Sequence, residues 1–166
     1  GIQRVLTGAH QFGVMVKGGA EIIIPSAQDA MVSHPDWDFV FVDFCNAFNS
    51  VSRRRALGQV ASKVPGLYPL LYSLYRGTHQ TWVKVGGDWM MLPVEEGCVQ
   101  GQNTSPFFFC VAIAELGLEL RNLMPNGVVY LYLDDLFLAG PPLEVQAALT
   151  YLAGDSLQLY NLQMNL

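Results

Sequence analysis

The chain has 166 residues, a length that suits one domain, and it is apolar: 51% of its residues are hydrophobic and only 14% are charged. This composition excludes an intrinsically disordered chain and predicts a large buried core. The formal net charge of −5 and the pI near 5.0 speak against simple binding of nucleic acid, which relies on lysine and arginine, although a metal site is itself acidic.

The first third of the chain predicts a helix, a strand and a second helix. Residues 1–20 are dotted with glycine and weakly patterned, and the first helix is predicted over residues 19–32. Residues 37–44 read WDFVFVDF, a continuous apolar and aromatic run that is typical of a strand buried on both faces. Ser52 suits the N-cap of a helix over residues 53–63.

The middle of the chain predicts two helices around a β-hairpin. A helix is predicted over residues 68–75, and the strands of the hairpin flank Gly86-Gly87-Asp88, a strong turn signal. Pro106 stands where a helix can start, which predicts a long, mostly buried helix over residues 107–123.

The last third predicts a second hairpin, with carboxylates at its tip. Two apolar runs, residues 128–133 and 136–139, flank Asp134-Asp135, and a helix is predicted over residues 143–159. The order of elements, β-α-β-β-α-β-β-α, predicts an α+β sheet with helices on one face.

The Asp134-Asp135 pair is the strongest chemical signal. Adjacent carboxylates between apolar strands are costly unless they are solvated, hydrogen bonded or bound to metal, and in isolation such a pair is more often a solvated turn. Asp43, at the end of the strand over residues 37–44, changes the balance. If the two strands are neighbours, about 5 Å apart, Asp43 and Asp134 can hold two divalent cations that stabilise an in-line phosphoryl displacement. Mg²⁺ suits such a site, and Mn²⁺ is the alternative ion.

Two further patterns are weaker. Residues 100–106 read QGQNTSP, a polar loop that opens a helix and can bring backbone N–H groups close to phosphate; the simpler reading is an N-cap at Ser105. The run Arg53-Arg54-Arg55 could contact a nucleic-acid backbone, but it reads better as the solvated side of a helix.

Three segments together resemble the palm motifs of reverse transcriptases in order and spacing: VDFCNAFNSV, GCVQGQNTSPFFF and YLYLDDLFLAG. The wording of the first segment, and QFGVMVKGGAEIII near the N-terminus, resemble the non-LTR retrotransposon branch. The resemblance implies a right-hand polymerase palm, with an antiparallel sheet and helices packed on one face. Residues 1–32 would be a partial fingers and palm junction, and residues 33–166 a palm truncated before the thumb.

The resemblance also implies roles for individual residues. Asp43, Asp134 and Asp135 would form the metal-binding triad of an RNA-directed DNA polymerase, with Asp135 the one that can act indirectly. Phe48 matches the aromatic residue that blocks a ribose 2′-hydroxyl, although plain core packing is the alternative. The remaining substrate contacts would be made by Phe44, Gln100, Gly101 and Tyr132.

The implied partners are an RNA template, a DNA primer, deoxynucleoside triphosphates and the remaining fingers and thumb of a parent polyprotein; no membrane is implied. The isolated chain is expected to be inactive without those parts. Gln102-Asn103-Thr104 departs from the usual wording of the second motif, which leaves a catalytically inactive nucleic-acid-binding module or a degenerate copy as the alternative. Three widely spaced cysteines without a CxxC pair favour an intracellular setting, which would be the nucleus for a eukaryotic retroelement.

Overall fold

The computed structural model describes residues 2–99 and 101–165 and shows an α+β fold. The helices of the described chain are α1 (Ile2–Gly8), α2 (Gly19–Ser33), α3 (Ala47–Ser50), α4 (Arg53–Lys63), α5 (Tyr68–Tyr75), α6 (Ser105–Ala112), α7 (Ala114–Leu123) and α8 (Pro142–Ala153). The strands are β1 (Asp38–Val42), β2 (His79–Val85), β3 (Asp88–Val94), β4 (Val128–Tyr132) and β5 (Asp135–Gly140). Two 3₁₀ helices cover Pro65–Leu67 and Asp155–Tyr160.

The main sheet has three antiparallel strands in the order β1-β5-β4. Val42 of β1 is registered with Leu136 of β5, and Leu131 of β4 is registered with the same leucine. These three side chains are buried and join the core that α6, α7 and α8 complete. Strand β1, which Asp43 directly follows, is therefore the neighbour of β5, and β4 lies on the other side of β5.

The opposite face of the sheet is partly open. Phe41 is 75% exposed although its neighbour Val42 is only 8% exposed, because successive side chains of a strand point to opposite faces. The expectation that this strand is buried on both faces is therefore wrong. Phe41, Phe137 and Tyr130 form an aromatic row across the three strands, with ring centroids 4.9 and 6.1 Å apart.

Local signals placed several elements correctly. Helix α4 begins after Ser52, whose hydroxyl accepts a hydrogen bond from the Arg55 N–H, and α5 has the predicted bounds. The β2–β3 hairpin turns at Gly86 and Gly87, both with positive φ, as a type I′ turn requires. The predicted long helix is two helices, α6 and α7, which are separated at Ile113. Helix α8 ends earlier than predicted, at Ala153, and a 3₁₀ helix follows.

The arginine run is solvated only in part: Arg54 is exposed, but Arg53 is not. Arg53 is 4% exposed, and its guanidinium donates to the carbonyl oxygens of Gly97 (2.6 Å), Gly77 (3.1 Å) and Val94 (3.1 Å). Arg55 donates to a carboxylate oxygen of Glu115 at 2.9 Å. The expectation of a solvated run is wrong for Arg53, because the start of α4 lies against the base of the β2–β3 hairpin, where carbonyl groups need donors.

Two of the three cysteines are buried, which predicts their reactivity. Burial raises the pKa of the Cys98 thiol to about 11, and burial also raises that of Cys110, so little of either thiol is the reactive thiolate at neutral pH. We expect iodoacetamide to alkylate the half-buried Cys45 first, and the other two only after denaturation. Peptide mass spectrometry over a time course measures the order, and equal rates at Cys45 and Cys98 would contradict this burial.

None of the helices in the described part of the chain combines the length and the apolar character needed to cross a membrane.

Candidate active site

Three carboxylates meet at one end of the main sheet. Asp43 directly follows β1, Asp135 begins β5, and Asp134 lies in the turn between β4 and β5. Because Val42 is registered with Leu136, continuing the register by one residue places Asp43 opposite Asp135. The structure thus brings together the three residues that the sequence motifs had singled out.

The charges of this group act on one another. Partial burial raises the pKa of the Asp135 carboxyl, although the residue is largely exposed, and the negative charges of Asp134 and Asp43 raise it further. Asp43 is held from the other side, where its carboxylate accepts a hydrogen bond from the Asn165 side chain at 3.1 Å. A cation placed among these carboxylates would relieve their repulsion.

The donors of this group are of the chemical kind that Mg²⁺ prefers. Among residues 2–99 and 101–165, no group of three or more histidine, cysteine, aspartate or glutamate side chains is close enough to form a ready-made metal cage. Mg²⁺ does not need such a cage, since it prefers oxygen ligands and usually takes one or two carboxylates, with water and substrate phosphates as the other ligands. Asp43, Asp134 and Asp135 offer only oxygen donors, which matches that preference.

The turn that carries Asp134 is strained. Leu133, the first residue of the two-residue loop, has a φ of 56°, and Asp134 has no positive φ. This pattern is typical of a type II′ turn, in which glycine is the favoured first residue. A side chain in the left-handed region costs about 1 kcal/mol, so neighbouring contacts must hold Leu133 in place.

Those contacts come from Gln11, a residue to which the sequence motifs gave no role. Its side chain is fully buried, and it exchanges hydrogen bonds with both the N–H and the carbonyl oxygen of Leu133. The only sequence signal was its position in QFGVMVKGGAEIII, the segment that carried part of the family resemblance.

A cleft of about 400 Å³ opens beside the carboxylates, between α2 and the open face of the sheet. Its walls are mainly apolar and aromatic. They include Ile23, Ile24, Phe41, Tyr130, Tyr132 and Phe137, with Asp43 and Asp135 at one end. The sequence did not indicate this cleft, because α2 and the strands that form it are far apart along the chain.

The end of the second-motif loop is held by hydrogen bonds to Tyr75 of α5. The Tyr75 hydroxyl is 2.9 Å from the Thr104 hydroxyl and 3.2 Å from that of Ser105. Thr104, not Ser105, is the N-cap of α6, because Ser105 is already the first residue of the helix. The Ser105 side chain is fully buried against Tyr75. Gly101 has a φ of 86° and open space around it, whereas Gln100 lies outside the described residues.

The remaining predicted residues differ in their exposure and contacts. Phe48 is 8% exposed and stacks on Phe109 with ring centroids 4.6 Å apart. Phe44 is buried and forms an isolated β-bridge with Met164. The hydrogen bonds of this bridge are made by the residues that flank Phe44, so the bridge does not use the N–H or the carbonyl oxygen of Phe44 itself. Tyr132, at the end of β4, is 38% exposed.

The fold and the placement of the carboxylates define a polymerase-palm-like α+β domain. Solved structures with this fold include telomerase from Candida albicans in complex with a TWJ fragment of telomeric RNA, which matches with a TM-score of 0.74 and 12% identity over 99% of this chain and 33% of that chain. Apo telomerase from Candida tropicalis matches with a TM-score of 0.72 and 11% identity over 99% of this chain and 34% of that chain.

The chain thus spans about a third of the telomerase chains that it matches, and at this level of identity the likeness concerns the fold. No protein-family model and no curated protein sequence matches the chain.

Proposed function

We propose that this chain is the catalytic palm of an RNA-directed DNA polymerase of the non-LTR retrotransposon type. The observation that carries the proposal is the meeting of Asp43, Asp134 and Asp135 at one end of a palm-like sheet. The fold is shared with telomerase, itself a reverse transcriptase, and this supports the same class of chemistry. Residues 1–32 would belong to the junction with the fingers, and residues 33–166 to the palm.

In this proposal the carboxylates bind the ions that the reaction needs. Asp43 and Asp134 would hold two Mg²⁺ ions, or Mn²⁺, and Asp135 would assist them. When bound, the ions would stabilise the charges that develop as a primer 3′-hydroxyl displaces pyrophosphate from a deoxynucleoside triphosphate. The exposed position of Asp43 and Asp135 beside an open cleft supports this role, since substrate phosphates can reach them.

Other residues of the chain would position the substrates. The backbone of Phe44 would face the triphosphate, Tyr132 would lie near the primer terminus, and Gln100 and Gly101 would contact the incoming nucleotide and the template. The RNA template and DNA primer would be held mainly by fingers and thumb. For a eukaryotic retroelement the reaction would take place in the nucleus.

A second candidate is a module that binds nucleic acid without catalysis, or a degenerate copy. It is favoured by Gln102-Asn103-Thr104, which departs from the family wording, and by the net charge of −5. The presence of all three carboxylates speaks against it, because a module that only binds nucleic acid would gain from losing negative charge at this site.

Primer extension in the complete natural protein that contains this chain tests the proposal. We expect a DNA primer on an RNA template to be extended with deoxynucleotides and Mg²⁺, and chelation of the metal to stop the reaction. Soluble, folded protein that binds the primer–template but never extends it, with either Mg²⁺ or Mn²⁺, would support the binding module instead.

Phe48 allows a separate test of sugar selection. If its ring blocks a 2′-hydroxyl, Phe48→Val should raise the use of ribonucleotides relative to deoxynucleotides by about 10- to 100-fold, the range in which shape changes in a pocket act. The ratio of kcat/KM for the two nucleotides measures this effect. Phe109→Leu, which alters the ring that stacks on Phe48, is the control for core packing. If both variants lose stability and neither changes the ratio, Phe48 is only a core residue.

A further inference from the structure

The segment before α2 runs along the free edge of β4 and reaches the turn of the carboxylate hairpin. Gln11 forms a parallel bridge with Leu131, flanked by hydrogen bonds from Phe12 N–H to the Leu131 carbonyl (2.8 Å) and from Leu131 N–H to the His10 carbonyl (2.9 Å). These backbone contacts fix the segment to β4, so the Gln11 side chain has a defined position relative to the turn.

The Gln11 amide uses both of its ends on that turn. Its oxygen accepts hydrogen bonds from the N–H groups of Leu133 and Gly13, each at 2.9 Å, and its nitrogen donates to the Leu133 carbonyl oxygen at 3.1 Å. The side chain is 0% exposed, so water cannot replace these bonds. A buried amide whose oxygen and nitrogen both bond to one residue fixes the backbone orientation of that residue.

Gly13 closes the contact from the same side. A Cβ atom at Gly13 would lie 2.5 Å from the Leu133 nitrogen, so only glycine permits this approach. Gln11 and Gly13 together enclose Leu133, the residue that has a left-handed backbone where a turn of this type favours glycine. The strained turn is thus held by a segment more than a hundred residues away in sequence.

We infer that Gln11 is a positioning residue for the carboxylate site. By holding Leu133 in its left-handed conformation, Gln11 fixes the backbone of the turn and therefore the orientation of the Asp134 and Asp135 side chains. The inference rests on the proposed function for its catalytic consequence, but the clamp itself is a property of the fold. Gln11 touches no substrate in this scheme and acts only through the backbone of the turn.

The test compares three variants with the wild type in the complete natural protein. Gln11→Met keeps the length of the side chain and removes all three hydrogen bonds. Gly13→Ala pushes on the same turn from the other side, and it keeps the inference testable should Gln11→Met fail to fold. Arg121→Met is the matched control, because it removes a hydrogen bond to Gly8 in the same N-terminal segment, away from the turn.

Hydrogen–deuterium exchange, read by mass spectrometry on peptides that span the turn, measures the clamp directly. We expect exchange at the turn to rise about 10-fold in Gln11→Met and to stay unchanged in Arg121→Met, because the Leu133 N–H loses its acceptor only in the first. Direct titration with Mn²⁺ should show affinity weakened by about 10- to 100-fold, the range found when a residue that orients a metal ligand is lost. In primer extension, kcat should fall within the same range while the KM for deoxynucleotide changes little.

The outcomes separate the two proposals. Unchanged exchange at the turn in Gln11→Met, or faster exchange with Mn²⁺ affinity within twofold of the wild type, would overturn the inference. A wild type that never extends primers would overturn the proposed function alone, and exchange with Mn²⁺ titration would still decide the role of Gln11. If Arg121→Met lowered kcat as much as Gln11→Met does, Gln11 would have only a general structural role.

Discussion

Replacing Asp134 with alanine is expected to abolish primer extension while the protein keeps its fold. Asp134 is partly exposed in the turn between β4 and β5, and its backbone has no positive φ, so alanine fits there without strain. The metal ions that it would help to hold supply several kcal/mol of transition-state stabilisation, which corresponds to a loss of about 1000-fold or more. The measurement is the extension rate at saturating Mg²⁺ and deoxynucleotide.

The β2–β3 hairpin offers a matched control for this variant. Asp88 is also an exposed carboxylate beside a tight hairpin turn, but it lies outside the three motif segments and in the separate β2–β3 hairpin. Asp88→Ala should extend primers at the rate of the wild type. Thermal unfolding should show the same midpoint for both variants, and extension by Asp134→Ala within tenfold of the wild type would remove this residue from the proposed site.

Sequence reasoning succeeded where the signal was local. The N-cap at Ser52 defined α4, the glycine pair defined the β2–β3 hairpin, and the two aspartates marked the end of the other hairpin. Each of these features depends on residues within a few positions of one another. The three carboxylates came together because each lies next to a strand end, and strand ends can be read from hydrophobic runs.

The errors concern contacts between distant segments. The composition of residues 37–44 suggested burial on both faces, but Phe41 is exposed because only one face of the sheet carries the packed core. Gln11 and Arg53 looked like ordinary polar residues, yet both are buried and bond to distant backbone groups. Gln11 contacts Leu133, 122 residues away, and the carbonyl groups that Arg53 serves lie 24 to 44 residues away along the chain. The residues next to such a side chain in the sequence do not reveal which carbonyl or N–H group it will bond to in the fold.

Arg53 leads to the second large prediction: Arg53→Ala should destabilise the chain by about 3–5 kcal/mol. The substitution leaves the carbonyl groups of Gly97, Gly77 and Val94 without their donor, and hydrogen bonds to charged groups contribute about 1.5–3 kcal/mol each, with partial compensation by water. A domain of this size is typically stable by about 5–15 kcal/mol, so the loss is a large fraction of the total. Urea denaturation followed by circular dichroism measures it.

Two variants of the same run show whether the geometry or the charge matters. Arg54→Ala alters an exposed neighbour and should change stability by less than about 0.5 kcal/mol. Arg53→Lys keeps the charge, but one ammonium group cannot reproduce the planar guanidinium that serves three carbonyl groups, so most of the loss should remain. If Arg53→Lys were as stable as the wild type, burial of a positive charge would matter rather than the hydrogen-bond geometry. The three carbonyls belong to the ends of the β2–β3 hairpin and to the start of the second motif. Loss of Arg53 should therefore loosen both the hairpin and the loop that precedes α6, and hydrogen exchange would detect this as faster exchange in both.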